Sequence, residues 1–202
     1  ARANAAAAEQ EALPEKASAG TLTTACLAPT GQWQACERLS LEAADINRRL
    51  GDMRRWEESS ANLALIRTIH GRFDLPEDSL YWPVLQAARK RGIDQTEGWG
   101  LTIWGMNLQY MQRFEELDAV CTDLEPWYLR AAAGMDDIAR LEAVDLLALN
   151  AIRKDDATES NRWLEQGFAL LDGMGRPTQY RNLPCTYLLA EAALEWWRAH
   201  PR

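Results

Sequence analysis

Carboxylates are the residues of this chain best suited to chemistry, and Asp155, Asp156 and Glu159 form a tight grouping. This spacing can hold a Mg²⁺-bound diphosphate in some helical enzymes, which place a second acidic cluster across a deep apolar cavity. Here only Asp136-Asp137 offers a second cluster. Acidic residues at helix starts also accept hydrogen bonds from free backbone N–H groups and complement the helix dipole. We therefore interpret these residues as helix caps and predict no metal ion or cofactor.

Other acidic residues could be proposed as the acids of a glycosidase, namely Glu57-Glu58, Glu115-Glu116 and Glu142. Glycoside hydrolysis needs two carboxylates that face each other across a cleft. Neighbouring residues on a helix point in different directions and do not form such a pair. We expect these glutamates to lie on solvated helix faces.

Histidine is scarce, with His70 and His200 as the two examples. Nucleophilic catalysis by serine or cysteine needs a histidine held in place by its surroundings. His200 lies two residues from the end of the sequence, and His70 stands beside Gly71 at an expected helix end. No G-x-S-x-G elbow is present. The sequence therefore predicts that the protein has no catalytic residue and is not an enzyme.

Four cysteines bear on the cellular compartment: Cys26, Cys36, Cys121 and Cys185. No C-x-x-C pair occurs and no histidine is near a cysteine, so a zinc site is disfavoured. We predict two disulfides, Cys26–Cys36 and Cys121–Cys185, with four buried free thiols as the alternative. Disulfides would place the protein in the periplasm or outside the cell.

Tryptophan is unusually frequent, with nine residues. Trp104 and Trp163 are predicted core anchors, and the alternative is that most of the nine belong to the core. Trp196 and Trp197 diverge by about 100° on a helix, so one of them must face away from that core. Aromatic anchors near acidic residues suit a basic protein partner. We predict a partner-binding surface from six residues: Tyr81, Trp82, Trp99, Asp155, Asp156 and Trp197.

The overall charge favours the same kind of partner. The net charge is −8 and the isoelectric point is near 4.9, whereas nucleic-acid binding needs a basic surface. We therefore predict no nucleic acid and a protein partner with a basic or enzymatic-cleft surface. No stretch approaches the roughly 18 apolar residues of a transmembrane segment. Residues 1–24 are rich in alanine, glutamate and serine, and we interpret them as a disordered lead-in that follows a removed export signal.

Apolar residues recur at helical spacing along the rest of the chain. Gly51 is predicted to break or kink the first long helix, while Gly71 and Gly92 cap helix ends. Pro126 is predicted to open a helix. The segment 98–105 contains several glycines without the lysine of a phosphate loop, so we expect close contacts between helices there.

These patterns predict an all-α fold, either an antiparallel helical bundle or an irregular array of helical hairpins, with about seven helices in a single domain over 25–202. The Trp-Leu-Gly-Tyr spacing of tetratricopeptide repeats is not reproduced near Trp104 or Trp163. We expect a non-catalytic exported protein that binds another protein, in the form of a bacterial immunity or inhibitor protein that neutralises a secreted effector enzyme. The alternatives are a tetratricopeptide-like scaffold or adaptor of the cell envelope, and a carboxylate-dependent hydrolase.

Overall fold

Helices make up nearly all of the described chain. The computed structural model describes residues 12–27, 30–73, 81–92, 94–131 and 137–173. These residues are 88% helical and contain no strand, which confirms the all-α prediction. The described helices are α1 (Leu13–Leu27), α2 (Trp33–Leu50), α3 (Met53–Ile69), α4 (Tyr81–Arg91), α5 (Asp94–Tyr110), α6 (Phe114–Arg130), α7 (Asp137–Arg153) and α8 (Ala157–Gly173).

The chain forms two compact units, Ala1–Gln86 and Ala87–Arg202, and the boundary between them lies inside α4. In the first unit, α2 packs against both α1 and α3. In the second unit, α5 packs against α6 and α7, and α7 packs against α6 and α8. The two hairpins of the second unit are therefore stacked in chain order.

Helix α1 occupies residues that the sequence analysis placed in a disordered lead-in. Ala17 is buried and packs with Ala43 and Ile46 of α2. A Cβ added to Gly20 would lie 3.6 Å from the carbonyl oxygen of Leu39, so the two backbones are close. The lead-in prediction is wrong for residues 13–24, because small residues that permit close helix packing have a composition similar to that of a disordered segment. Residues 1–11 lie outside the described part of the chain.

Three helix pairs, α2–α3, α5–α6 and α7–α8, are hairpins joined by the same kind of turn. One residue in each turn has a left-handed backbone, with φ of 74° at Gly51, 58° at Gln112 and 60° at Asp155. Its N–H donates to the carbonyl three residues earlier, and the next N–H donates to the carbonyl five residues before it, at 2.9 to 3.1 Å. This Schellman arrangement satisfies carbonyls that the helix end leaves free. In all three hairpins the second helix begins two residues after the left-handed residue.

The three hairpins also share a small buried residue seven positions before the left-handed one: Ala44, Gly105 and Ala148. A Cβ added to Gly105 would lie 2.8 Å from Leu146 Cδ1 of α7, so the Leu146 side chain would have to move to admit a larger residue. The hairpins follow one another at unequal intervals in the sequence. A search for a fixed repeat period therefore does not find them.

Glycines of the segment 98–105 lie where helices approach most closely. A Cβ added to Gly98 would overlap the indole ring of Trp127, a side chain that is 0% exposed. The indole thus occupies the space that a larger residue at position 98 would need. Gly98 and Gly105 confirm the prediction of close contacts between helices.

The prediction that Pro126 opens a helix is wrong, because Pro126 lies inside α6. An interior proline costs a helix about 3 kcal/mol. Leu124 and Trp127, on either side of it, are both 0% exposed. Burial of two such side chains contributes about 1.5–3 kcal/mol each, which offsets the cost of the proline.

The predicted Cys26–Cys36 disulfide is not formed, since both residues are free thiols. The Cys36 thiol donates to the Thr24 carbonyl oxygen at 3.7 Å. Residues two positions apart on a helix point in nearly opposite directions, so Cys26 lies on the side of α1 away from Cys36. Cys121 is buried, and Cys185 lies outside the described residues. The argument from the Cys26–Cys36 disulfide to an exported location is lost with this bond.

We expect Cys26 to react with a maleimide in the native protein, and Cys36 and Cys121 to react only after unfolding. Cys26 is exposed, whereas burial raises the pKa of the Cys36 thiol and raises the pKa of Cys121 to about 12. Timed alkylation followed by mass spectrometry of the peptides measures each site. A disulfide-linked peptide containing Cys26 and Cys36, or rapid modification of native Cys121, would contradict this expectation.

Candidate functional site

The structure does not establish a common surface for the aromatic residues predicted to bind a partner. Trp82 lies on α4 in the first unit and is 42% exposed. Trp99 lies on α5 in the second unit and is half-buried. The side chain of Tyr81 and the whole of Trp197 fall outside what the structure describes.

The acidic residues Asp155, Asp156 and Glu159 stabilise the turn between α7 and α8. Asp155 is the left-handed residue, a conformation that aspartate tolerates better than most residues. The Asp156 carboxylate caps α8 by accepting the Glu159 N–H at 3.0 Å, and Glu159 pairs with Arg162 at 2.6 Å. These contacts confirm the capping interpretation for Asp156, whereas Asp155 serves as the turn residue and Glu159 forms an ion pair. Among the described residues, no group of three or more His, Cys, Asp or Glu side chains could hold a metal ion.

The glutamates expected on solvated faces divide into two groups. Glu58 pairs with Arg54, and Glu116 pairs with Arg113, both on the surface. Glu57 and Glu142 are instead buried, with 0% and 7% of their surface exposed. The prediction is wrong for these two, because it relied on the general tendency of charged side chains to stay at the surface.

Buried carboxylates lie one helical turn apart on α7, where Asp145 follows Glu142. Desolvation by burial raises the pKa of Asp145 to about 7. A carboxyl group with such a pKa can exchange protons near neutrality when it lines a cleft. Asp145 is only 9% exposed, and residues 141–148 of α7 are all buried. The enclosed position does not favour a role in hydrolysis.

The outward face of α6 is an exposed surface of the second unit. Its residues recur at alternating spacings of four and three, and all are exposed: Glu115, Ala119, Thr122, Pro126 and Leu129. We call this set the α6 outer stripe. Leu129 is 56% exposed, and Pro126 lies near the middle of the exposed arc of the helix. Leu129 is the one large apolar side chain of the stripe, next to the smaller apolar surfaces of Ala119 and Pro126.

The opposite face of α6 holds the helix in the core. Leu117, Leu124 and Trp127 on that face are each 0% exposed. Tyr128 on the same side meets Trp163 of α8 edge to face, with ring centroids 5.5 Å apart. The burial of this face leaves the outer stripe turned toward solvent.

Ion pairs fix one edge of α6 against α4 and α5. The Arg89 guanidinium donates to Asp123 at 2.6 Å and to Glu97 at 3.0 Å. Arg130 approaches the second oxygen of Glu97 at 3.8 Å. Glu97 is 15% exposed, but Asp123 and Arg130, the two partners on α6, are 53% and 56% exposed, so these pairs lie at the surface.

Ion pairs also fix the other edge of α6, against α7 and α8. The Asp118 carboxylate accepts from Arg153 at 2.5 Å and from Lys154 at 2.8 Å, and Glu125 accepts from Arg162 at 2.6 Å. Burial alone would raise the pKa of Asp118, but the hydrogen bonds from its neighbours outweigh burial and lower it. The α6 outer stripe is thus carried by a helix that is tied on both sides.

The α6 outer stripe was not predicted from the sequence, because Pro126 was interpreted as a helix start. With the chain divided there, Ala119 and Thr122 belong to a different element from Leu129. The alternating spacing of four and three was the available signal, and it continues through the proline.

Comparison with known proteins does not add a function, since the chain matches no protein-family model and no curated protein sequence. No described helix is long and apolar enough to cross a membrane.

Protonation of Asp145 is expected to make stability depend on pH. Its pKa is about 7 in the folded protein and about 3.9 in an unfolded chain, so the folded state holds a proton that the unfolded state releases. The free energy of unfolding should therefore fall as pH rises from about 4 to about 7. Asp145→Asn removes this contribution. Over that pH range the free energy of unfolding should fall less in the variant than in the wild type, and the difference should be about 2 kcal/mol or more.

Chemical unfolding followed by circular dichroism at several pH values measures the difference. Glu165→Gln, which alters an exposed carboxylate of α8, is the matched control and should keep the wild-type profile. An Asp145→Asn profile parallel to that of the wild type would show that Asp145 is ionised in the folded protein.

Proposed function

We propose that this protein is a non-catalytic scaffold of helical hairpins that binds another protein. The observation that carries the proposal is the recurrence of one hairpin design in both units, with the same left-handed turn and the same small buried residue. Proteins built from stacked helical hairpins present extended surfaces to partners, and each hairpin contacts mainly its neighbours. This corresponds to the scaffold or adaptor predicted as an alternative from the sequence.

The packing order in the second unit supports the proposal. Helix α7 contacts both helices of the preceding hairpin as well as its own partner α8. Stacking of this kind buries a continuous core without requiring an identical sequence in each hairpin. The degenerate pattern explains why the spacing of tetratricopeptide repeats is absent although the architecture is one of hairpins.

The α6 outer stripe is the proposed contact surface. Leu129 and Pro126 offer exposed apolar contact, and the ion pairs along both edges of α6 hold the helix in place. A surface held in place loses little conformational entropy on binding. The net charge of −8 speeds the approach of a partner whose surface is basic.

The immunity or inhibitor form of the hypothesis remains a prediction, as does an exported location. The two forms differ in the partner. An inhibitor binds one enzyme and abolishes its activity, whereas a scaffold binds a protein whose activity continues. Whether a captured partner loses its activity on binding therefore distinguishes an inhibitor from a scaffold.

Site-specific photo-crosslinking tests the proposed surface. A photoreactive amino acid at position 129 should crosslink one protein in the native cell extract, and the same amino acid at position 165 should not. Both positions are exposed on outward helix faces of the second unit, so position 165 controls for nonspecific capture. Leu129→Asp should weaken binding of the captured protein at least tenfold, because a charge would be buried against an apolar contact.

Two results would contradict this proposal. One is an equal pattern of crosslinks from positions 129 and 165. The other is a partner whose affinity is the same for the wild type and for Leu129→Asp.

A further inference from the structure

The end of the first hairpin combines arginines with exposed apolar side chains. Four arginines stand on either side of the turn, and all of them are exposed: Arg48, Arg49, Arg54 and Arg55. Leu50 and Met53, which flank the turn itself, are 41% and 42% exposed. We call residues 48–55 the arginine tip. It carries a local positive charge in a chain whose net charge is −8.

Helix stability explains only half of these arginines. Arg48 and Arg49 lie in the last turn of α2, where positive charge complements the helix dipole. Arg54 and Arg55 lie at the start of α3, where positive charge is unfavourable and where no acidic residue occurs in the first turn. The second helices of the other two hairpins begin with acidic residues instead. The helix dipole therefore does not account for the pair at the start of α3.

The ion pairs at the arginine tip are surface pairs that another anion can replace. Three arginines pair with a neighbour in the sequence: Arg49 with Asp45 at 3.7 Å, Arg54 with Glu58 at 3.2 Å, and Arg55 with Asp52 at 3.6 Å. The arginine side chains of these pairs are 63%, 78% and 51% exposed. Arg55 also donates to the Ser18 hydroxyl at 3.1 Å, again at the surface. Pairs this exposed contribute little to stability, and a guanidinium can instead bind a phosphate oxygen through two hydrogen bonds.

We infer that the arginine tip docks on an anionic lipid surface. Exposed guanidinium groups on both sides of a turn that carries two exposed apolar side chains match the phosphate layer and the acyl boundary of an anionic lipid interface. Binding to a lipid interface needs no pocket, because each basic and each apolar residue contributes separately. Three carboxylates within 4 Å of the arginines, those of Asp45, Asp52 and Glu58, reduce the four positive charges to a net charge of about one. Acidic residues farther away than about 8–10 Å are largely screened at physiological salt and do not prevent docking.

The arrangement at the turn fits the two layers of such an interface. Leu50 and Met53 would enter the boundary between headgroups and acyl chains, and the arginines on both sides would lie at the level of the phosphates. The docking needs neither the α6 outer stripe nor a protein partner, so it stands apart from the proposed function.

Sedimentation with lipid vesicles tests the inference on the full chain. We expect binding to vesicles of phosphatidylcholine with one third phosphatidylglycerol, loss of binding as salt is raised, and no binding to phosphatidylcholine alone. Each arginine removed should lower partitioning about fivefold. Arg48→Gln with Arg54→Gln should therefore lower it about 25-fold.

Matched variants distinguish an effect of the arginine tip from an effect of the net charge of the chain. Lys90→Gln with Arg91→Gln removes the same charge from exposed positions on α4 and should leave partitioning unchanged. Leu50→Ser with Met53→Ser should weaken binding and leave its salt dependence intact, because the arginines remain. Circular dichroism melting curves check that every variant is folded.

Three outcomes would overturn the inference. The first is an absence of binding to the anionic vesicles. The second is an equal loss of binding in both charge-matched double variants. The third is tip-dependent binding to polyglutamate without any binding to vesicles, which would assign the tip to an acidic protein segment.

Discussion

The structure depends on a single backbone conformation at the turn of each hairpin. A helix ends with carbonyls that lack intrahelical partners, and one left-handed residue lets two following N–H groups bond back to them. In the three hairpins the next helix begins two positions after this residue and packs against the first. Gly51 adopts this conformation without steric cost, whereas Gln112 and Asp155 adopt it against the preference of residues with a Cβ.

Packing between helices then depends on small residues at the points of closest approach. The indole of Trp127 occupies the space that a side chain at Gly98 would need, and Leu146 does the same at Gly105. Around this core, charged side chains connect neighbouring helices. The pairs made by Glu97, Asp118 and Glu125 hold α6 from both edges. Several partly exposed ion pairs thus connect α6 to the helices on either side of it.

Sequence patterns predicted the helices where local signals are strong. Gly51, Gly71 and Gly92 have the left-handed backbones expected of helix ends, and the glycines of the segment 98–105 lie at close contacts. The turn at Gln112 could not be predicted, because glutamine carries no signal for this conformation. Pro126 is a strong local signal for a helix start, and that prediction was wrong. The burial of Trp127 stabilises the helix through the proline.

The candidate surfaces were harder to predict than the fold. Exposure of Leu129 follows from the register of a helix that the sequence analysis divided at Pro126, and the free thiols follow from the direction of Cys26 on a helix assigned to a lead-in. The sequence R-R-L-G-D-M-R-R contains the arginine tip. Its interpretation as a surface depends on the position of the turn and on the exposure of Leu50 and Met53, which the structure gives. Surface function depends on which side of each element faces solvent, and a single sequence determines this only when every helix boundary is known.

The shared turn can be tested by exchanging residue types between hairpins and measuring the free energy of unfolding with urea. Gln112→Gly should raise it by about 1 kcal/mol, because glycine removes the steric cost of a left-handed backbone. Gly51→Ala should lower it by a similar amount, about 1 kcal/mol, since no atom lies within 4 Å of the added methyl group and only the backbone is strained. A loss of stability in Gln112→Gly together with no change in Gly51→Ala would contradict the claim that the hairpins share one turn.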